Sequence, residues 1–169
     1  MALEQTPPPY AGVRKARRDP RHAGLGTRDF LRGVESAALA ALPPGLARGI
    51  TSRVRFSLLQ LHFGDTTVHY EVWVQRRGPA AGQGIIEVGL HFEGRDGERN
   101  RALLSGLVAR AGELMDALGP RIEPEEWTKS WTRLHETLPL REPLDEQMAD
   151  TLGRRVALWI ETCEPLLPR

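Results

Sequence analysis

Residues 68–74 read Val-His-Tyr-Glu-Val-Trp-Val, and residues 85–93 read Ile-Ile-Glu-Val-Gly-Leu-His-Phe-Glu. Apolar and polar side chains alternate along both stretches, and successive side chains of a β-strand point to opposite faces of the sheet. Residues 78–84, which lie between them, are rich in glycine and contain a proline, so they favour a turn. The two stretches therefore predict an antiparallel hairpin that buries one face and exposes the other to water.

The water-facing side of this hairpin carries the residues with potential for chemistry. They are His69, Glu71, Trp73, Glu87, His91 and Glu93. Two imidazoles and two carboxylates in one patch could bind a divalent transition metal or form an acid–base pair, which makes His69, Glu71, His91 and Glu93 the candidate catalytic residues. Ordinary cross-strand pairing on a solvated or partner-covered face is the favoured interpretation, because the sequence assures no third ligand from another strand. The sequence therefore predicts no cofactor and assigns no residue as a metal ligand, and metal binding by the patch stays an alternative.

Two registers of the hairpin keep the apolar side chains on one face. The first makes the cross-strand pairs His69–His91 and Trp73–Glu87. The second makes the pairs His69–Glu93, Glu71–His91 and Trp73–Gly89. The second register is favoured, because it pairs each histidine with a carboxylate and places an aromatic ring over a strand glycine.

Apolar residues at helical spacing predict three helices. The first begins at Thr27 and ends at Pro43-Pro44-Gly45, the second runs from Asp96 to Gly119-Pro120, and the third begins at Pro143 and ends at Pro165. Two further strands are predicted over residues 53–63, with a bulge near Leu58-Leu59, and over residues 129–138, after a loop at residues 123–126.

The resulting element order is α-β-β-β-α-β-α. Grouped strands with flanking helices predict an α+β fold, with an antiparallel sheet of four to five strands and helices packed on one face. The order resembles that of the secretion-chaperone-like α+β folds, and this resemblance in topology implies a dimeric binding protein.

The chain has 169 residues, which suits one domain. Residues 1–26 predict a flexible basic arm, and residues 27–169 a single folded domain. No apolar run is long enough to span a membrane, no signal peptide is evident, and Cys163 is the single cysteine, so a cytoplasmic protein without a membrane partner is expected. Within the arm, Arg14, Lys15, Arg17 and Arg18 are candidates for contacting nucleic acid, although a solvated terminus is the favoured interpretation.

Phosphate-loop, dinucleotide-loop and nucleophile-elbow motifs are missing from the sequence, which lowers the expectation of an enzyme. The main prediction is a non-enzymatic module that binds a protein or itself, as a homodimer, through the outer sheet face. Its interface residues would be Trp73, Glu87 and Trp131, because tryptophan is enriched in interface anchors. The alternatives are a small metal-dependent hydrolase that uses the His/Glu patch and a nucleic-acid-binding protein that uses the arm.

Overall fold

A computed structural model describes residues 24–77 and 82–168. The candidate nucleic-acid contacts Arg14, Lys15, Arg17 and Arg18 lie outside the described residues, so nucleic-acid binding through them stays a prediction.

The described chain is an α+β fold, as predicted. Its helices are α1 (Thr27–Ala41), α2 (Pro44–Ala47), α3 (Gly97–Val108), α4 (Ala111–Leu118) and α5 (Glu146–Cys163), and a short 3₁₀ turn (Glu164–Leu166) follows α5. Its strands are β1 (Thr51–Arg55), β2 (Leu58–His62), β3 (Val68–Gln75), β4 (Ile85–Phe92), β5 (Glu123–Glu126) and β6 (Thr132–Pro139). They form one antiparallel sheet in the order β1-β2-β3-β4-β6-β5.

The sheet has six strands, where four to five were predicted. The first addition comes from residues 53–63, which form a hairpin and not one bulged strand. Arg55 pairs with Leu58, and Phe56 takes a positive φ of 52° at the turn. The apolar residues of this segment change from even to odd positions, which suggested a bulge. The change instead marks a two-residue turn, because a reversal of the chain also restarts the alternation of apolar and polar residues.

The second additional strand is β5, in the segment predicted as a loop. Glu125 of β5 pairs with Arg133 of β6 in the register, and its carboxylate contacts the Arg133 guanidinium. Strand β5 lies at the edge of the sheet, where Pro124 costs no interstrand hydrogen bond on its free side.

The predicted long helix after Asp96 is divided into α3 and α4. Gly106 and Gly112 flank the division and lower helix propensity there. Leu107 and Leu114 on either side are both buried in the core. The break therefore lets two short helices each direct an apolar side chain inward.

Helices pack on one face of the sheet, with α1 and α5 in close contact. A Cβ added at Gly153 of α5 would lie 2.5 Å from the Ala37 Cβ of α1, so glycine allows the two helices to approach. Trp159 of α5 is fully buried and donates from Nε1 to the Glu136 carboxylate at 2.9 Å. Among the described residues, no helix has the length and apolarity to cross a membrane.

Candidate metal centre

His69 of β3 lies directly opposite His91 of β4 on the face of the sheet away from the helices. The favoured register was wrong: Glu71 lies opposite Gly89, and Trp73 lies opposite Glu87. The physical reason is that β4 has two neighbours. Gln60 of β2 donates to Glu71, and Arg133 of β6 donates to Glu87, so the two strands of the hairpin do not have to pair every charge between themselves.

Polar side chains of β3, β4, β5 and β6, together with Glu93 directly after β4, form a compact group, which we call the outer-face cluster. Its members are His69, Glu71, Glu87, His91, Glu93, Glu125, Arg133 and His135. Most are buried, and His91 has no exposed surface. Charged side chains are rarely buried unless paired, so this concentration marks the face as a candidate site.

Gly89 lies at the middle of the cluster, between Glu71 on β3 and His135 on β6. A Cβ at this position would come within 2.6 Å of the Leu134 carbonyl oxygen and 2.7 Å of the His135 Cβ. The glycine therefore permits close approach of β6, and it leaves the centre of the cluster without a side chain of its own.

The tautomer of His69 follows from its backbone contact. Its Nδ1 lies 3.0 Å from the carbonyl oxygen of Thr66, which can only accept a hydrogen bond, so Nδ1 carries the proton. The Nε2 atom lies 3.2 Å from the amide nitrogen of Gln60. The same imidazole nitrogen lies 3.5 Å from the Glu71 carboxylate. A histidine oriented in this way by a carbonyl presents a nitrogen suited to a metal.

His91 is surrounded by carboxylates. Its Nε2 lies 3.3 Å from Glu87 and its Nδ1 lies 3.4 Å from Glu93. The contact with Glu87 brings the charges together without the geometry of a hydrogen bond. Burial by itself lowers the pKa of His91, but Glu87, Glu93 and Glu71 outweigh burial and raise it to about 9. In the metal-free protein His91 is therefore an imidazolium at neutral pH.

Arg133 and His135 extend the cluster from β6. The Arg133 guanidinium donates to Glu87 at 2.6 Å and lies 2.5 Å from Glu125. Burial, followed by the charge of Arg133, lowers the pKa of His135, so His135 is neutral at pH 7. The His135 Nδ1 is buried and has no hydrogen-bond partner among the described residues.

Sequence reasoning missed Arg133 and treated Glu125 as part of a loop. One usable signal was present, since residues 132–136 alternate in a way that places Arg133 and His135 on the same face. Whether that face was the hairpin's polar face depended on long-range strand pairing.

Trp127, in the turn between β5 and β6, contacts the cluster from outside. Its ring meets the His91 ring edge-on with centroids 5.9 Å apart, and the Arg133 guanidinium lies 4.7 Å from its centroid. Trp127 is still 38% exposed, and Trp131 packs against it at 5.9 Å. The two indoles therefore form an aromatic wall at this edge of the cluster.

The predicted interface residues occupy different environments. Trp73 and Trp131 are half-buried, whereas Glu87 is buried inside the cluster and contacts His91 and Arg133. The candidate catalytic residues His69, Glu71, His91 and Glu93 come together on one face, although with the pairs of the other register.

Three of the candidates have the arrangement of a metal-binding triad. One ligand atom from each of His69, His91 and Glu93 lies within 4.8 Å of the others. In a tetrahedral zinc site with bonds of about 2.1 Å, ligand atoms are roughly 3.4 Å apart, so these side chains need a further closure of up to about 1.4 Å to hold an ion. Glu93, whose side chain is 20% exposed, has the freedom to make that adjustment.

The chain matches no protein-family model, no curated protein and no solved structure. A function therefore has to be inferred from its own side chains.

Proposed function

We propose that the outer-face cluster binds a divalent transition-metal ion through His69, His91 and Glu93. The single observation that carries this proposal is the convergence of the three ligand atoms within 4.8 Å. Two imidazoles and one carboxylate are a common ligand set for zinc and for ferrous iron.

The charge of the cluster supports a cation. Counted as carboxylates, Glu71, Glu87, Glu93 and Glu125 face two positive groups, the Arg133 guanidinium and the His91 imidazolium. His135 adds no charge at neutral pH, so these groups together carry an excess of two negative charges. A divalent ion that displaced the His91 proton would reduce this excess by one charge, and buried charges are stable only when they are paired.

The orientation of the ligands supports the same proposal. Thr66 holds His69 through Nδ1, which leaves Nε2, 3.5 Å from the Glu71 carboxylate, as the nitrogen available to a metal. Metal binding would displace the proton that His91 carries in the metal-free protein.

Three protein ligands leave a coordination position for water, which is the arrangement of hydrolytic metal sites. A bound metal would supply an activated water molecule there. The class of activity that this site fits is metal-dependent hydrolysis, with Glu87 and the neutral His135 as nearby groups able to accept a proton.

The test is metal binding by the full chain, measured by elemental analysis after purification and by calorimetric titration of the metal-free protein with Zn²⁺. We expect one ion per chain and at least a tenfold loss of affinity in Glu93→Gln, which removes a ligand from a partly exposed position. His62→Asn is the matched control, because His62 is a histidine of the same sheet outside the triad. A folded wild-type protein that binds no Zn²⁺, or an affinity that Glu93→Gln leaves unchanged, rules the site out.

A second candidate function is association with a second copy of the chain or another protein through the same face. The observation that favours it is the exposure of Trp127, which packs against the half-buried Trp131. Trp73, opposite Glu87 in the same sheet, is also half-buried. Sedimentation of the wild type against Trp127→Ala tests it, and a monomer at all concentrations in both would exclude the homodimer.

We also propose a cytoplasmic location. Cys163 is the single cysteine of the sequence, and burial raises the pKa of its thiol to about 12, so it is an unreactive core residue that suits a reducing compartment. Fractionation of cells that express the chain would test this.

A further inference from the structure

A cavity of about 540 Å³ opens on the helical side of the sheet, away from the outer-face cluster. It lies between the start of β3, helix α3 and the 3₁₀ turn that follows α5. The volume is typical of a site for a small organic molecule. Its apolar walls include Phe63, Val68, Leu103, Leu166 and Leu167.

The space exists because α3 presents small residues to it. Ala102 and Gly106 lie one turn apart on the helix, and both line the cavity. A Cβ added at Gly106 would meet no atom within 4 Å, whereas Leu104 and Leu107 of the same helix are buried in the core. The larger side chains of α3 therefore stabilise the fold, and its small ones leave the cavity open.

Two charged side chains of the lining, Asp65 and Arg99, are paired with each other. The Arg99 guanidinium donates to the Asp65 carboxylate at 3.0 Å. Thr67 also donates to this carboxylate, from its hydroxyl at 2.7 Å and its backbone N–H at 2.9 Å, and these hydrogen bonds lower the pKa of Asp65. The carboxylate and the guanidinium therefore neutralise each other within the lining.

Glu164, the other charged side chain among the described residues of the lining, is engaged as well. Its carboxylate accepts a hydrogen bond from the buried Tyr70 hydroxyl at 3.1 Å. A charged ligand would lose hydration between the apolar walls and would meet charges that already have partners. An uncharged ligand avoids this cost.

We propose that this cavity binds an uncharged, mainly apolar small molecule. Burial of the molecule's apolar surface against Leu103 and Leu166 supplies the affinity, and the cost of desolvating a charge excludes ions of either sign. The site is independent of the proposed metal centre, because the two lie on opposite faces of the sheet.

The experiment compares three probes with the same eight-carbon chain: 1-octanol, octylammonium and octanoate. Binding to the full metal-free chain is followed by calorimetry and by the amide chemical shifts of Ala102 and Leu103. We expect octanol to bind at least about tenfold more tightly than either ion. From butanol to octanol, the affinity should rise about fourfold with each added methylene. Either ion binding as tightly as octanol, or no binding of any probe, overturns the proposal.

Variants of α3 locate the site. Gly106→Leu and Ala102→Leu fill the cavity from two neighbouring turns of the helix, and we expect each to reduce octanol affinity at least about tenfold. Gly112→Leu is the matched control, because it places the same side chain on α4, where a Cβ also meets no atom within 4 Å but lies outside the cavity lining. Leucine is a strong helix former, so the three variants should fold. Equal octanol affinity in the three variants contradicts this location.

A second copy of the chain is the other occupant that these variants can reveal. If a twin subunit covered the apolar walls, the wild type would sediment as a dimer without any probe, and Gly106→Leu would dissociate it. That result overturns the small-molecule proposal. Loss of octanol binding in Gly106→Leu with unchanged sedimentation supports it.

Discussion

The imidazole rings of His69 and His91 stack across β3 and β4, with centroids 5.5 Å apart and ring planes inclined by 21°. His69 is oriented by a backbone carbonyl, and His91 is charged by the carboxylates around it. The pair forms the centre of the outer-face cluster, and we expect the protonation of His91 to affect both the stability of this face and its proposed affinity for a metal.

The stability of the metal-free protein should depend on the charge of His91. Its pKa of about 9 in the folded protein lies above the ordinary value of 6.5, so its contribution is fully present below pH 6.5 and is lost as the pH rises through 9. Between these limits we expect the free energy of unfolding to fall by on the order of 3 kcal/mol relative to His91→Gln. Urea denaturation at a series of pH values measures this, and parallel pH profiles for the two proteins would contradict it.

The proposed metal site should bind more tightly as the pH rises. A metal must displace the His91 proton, so the affinity for Zn²⁺ should increase about tenfold per pH unit up to about pH 9. Titrations in buffers of different ionisation enthalpy count the released protons directly. Zn²⁺ binding without proton release would mean that His91 is not a ligand.

Replacement of Gly89 by alanine should destabilise the sheet. The new Cβ would lie 2.6 Å from the Leu134 carbonyl oxygen, so β4 and β6 would have to separate at the cluster. We expect a loss of about 1–3 kcal/mol in the free energy of unfolding, as for other overpacked positions. Gly106→Ala is the control: its Cβ has open space, and it should stabilise α3 by about 0.5–1 kcal/mol. Thermal and urea unfolding distinguish the two, and a Gly89→Ala protein as stable as the wild type would refute the close approach.

Arg133→Met should have opposite effects on stability and metal binding. It leaves Glu87 and Glu125 without their guanidinium, and removal of one partner from a buried ion pair costs about 3 kcal/mol. The same change adds one negative charge to the excess in the cluster, so the affinity for Zn²⁺ should rise. Arg110→Met removes an exposed partner of Glu113 and should change neither property measurably. Lower Zn²⁺ affinity in a folded Arg133→Met protein would contradict the electrostatic account.

Local pattern predicted much of this fold because apolar periodicity is a local property. The alternation at residues 68–74 and 85–93 correctly assigned side chains of the hairpin to its two faces, and glycine and proline marked many of the boundaries. The prediction failed at Phe56, where a positive φ makes a turn in place of the predicted bulged strand. It also failed at Glu123–Glu126, where pairing with β6 makes a strand in place of the predicted loop.

The candidate site could be predicted only in part for the same reason. His69, Glu71, His91 and Glu93 were identified from the sequence, but the favoured register gave each histidine a carboxylate partner across the hairpin. Arg133 and Trp127 come from more than 30 residues further along the chain, and neither entered that pairing. The register predicted from β3 and β4 alone was wrong because β6 supplies a charged partner, Arg133, to Glu87 of the hairpin.

The sequence by itself determined that the chain is an α+β protein and which side chains of the central hairpin lie on its polar face, because alternation requires only neighbouring residues. The tertiary structure decided that His69 lies opposite His91 and that β6 brings Arg133 and His135 beside them. The face of the sheet to which a side chain points alternates every residue along a strand, so the local sequence encodes it. Register is the sum of pairings with every neighbouring strand, so only the assembled sheet could set the two histidines side by side.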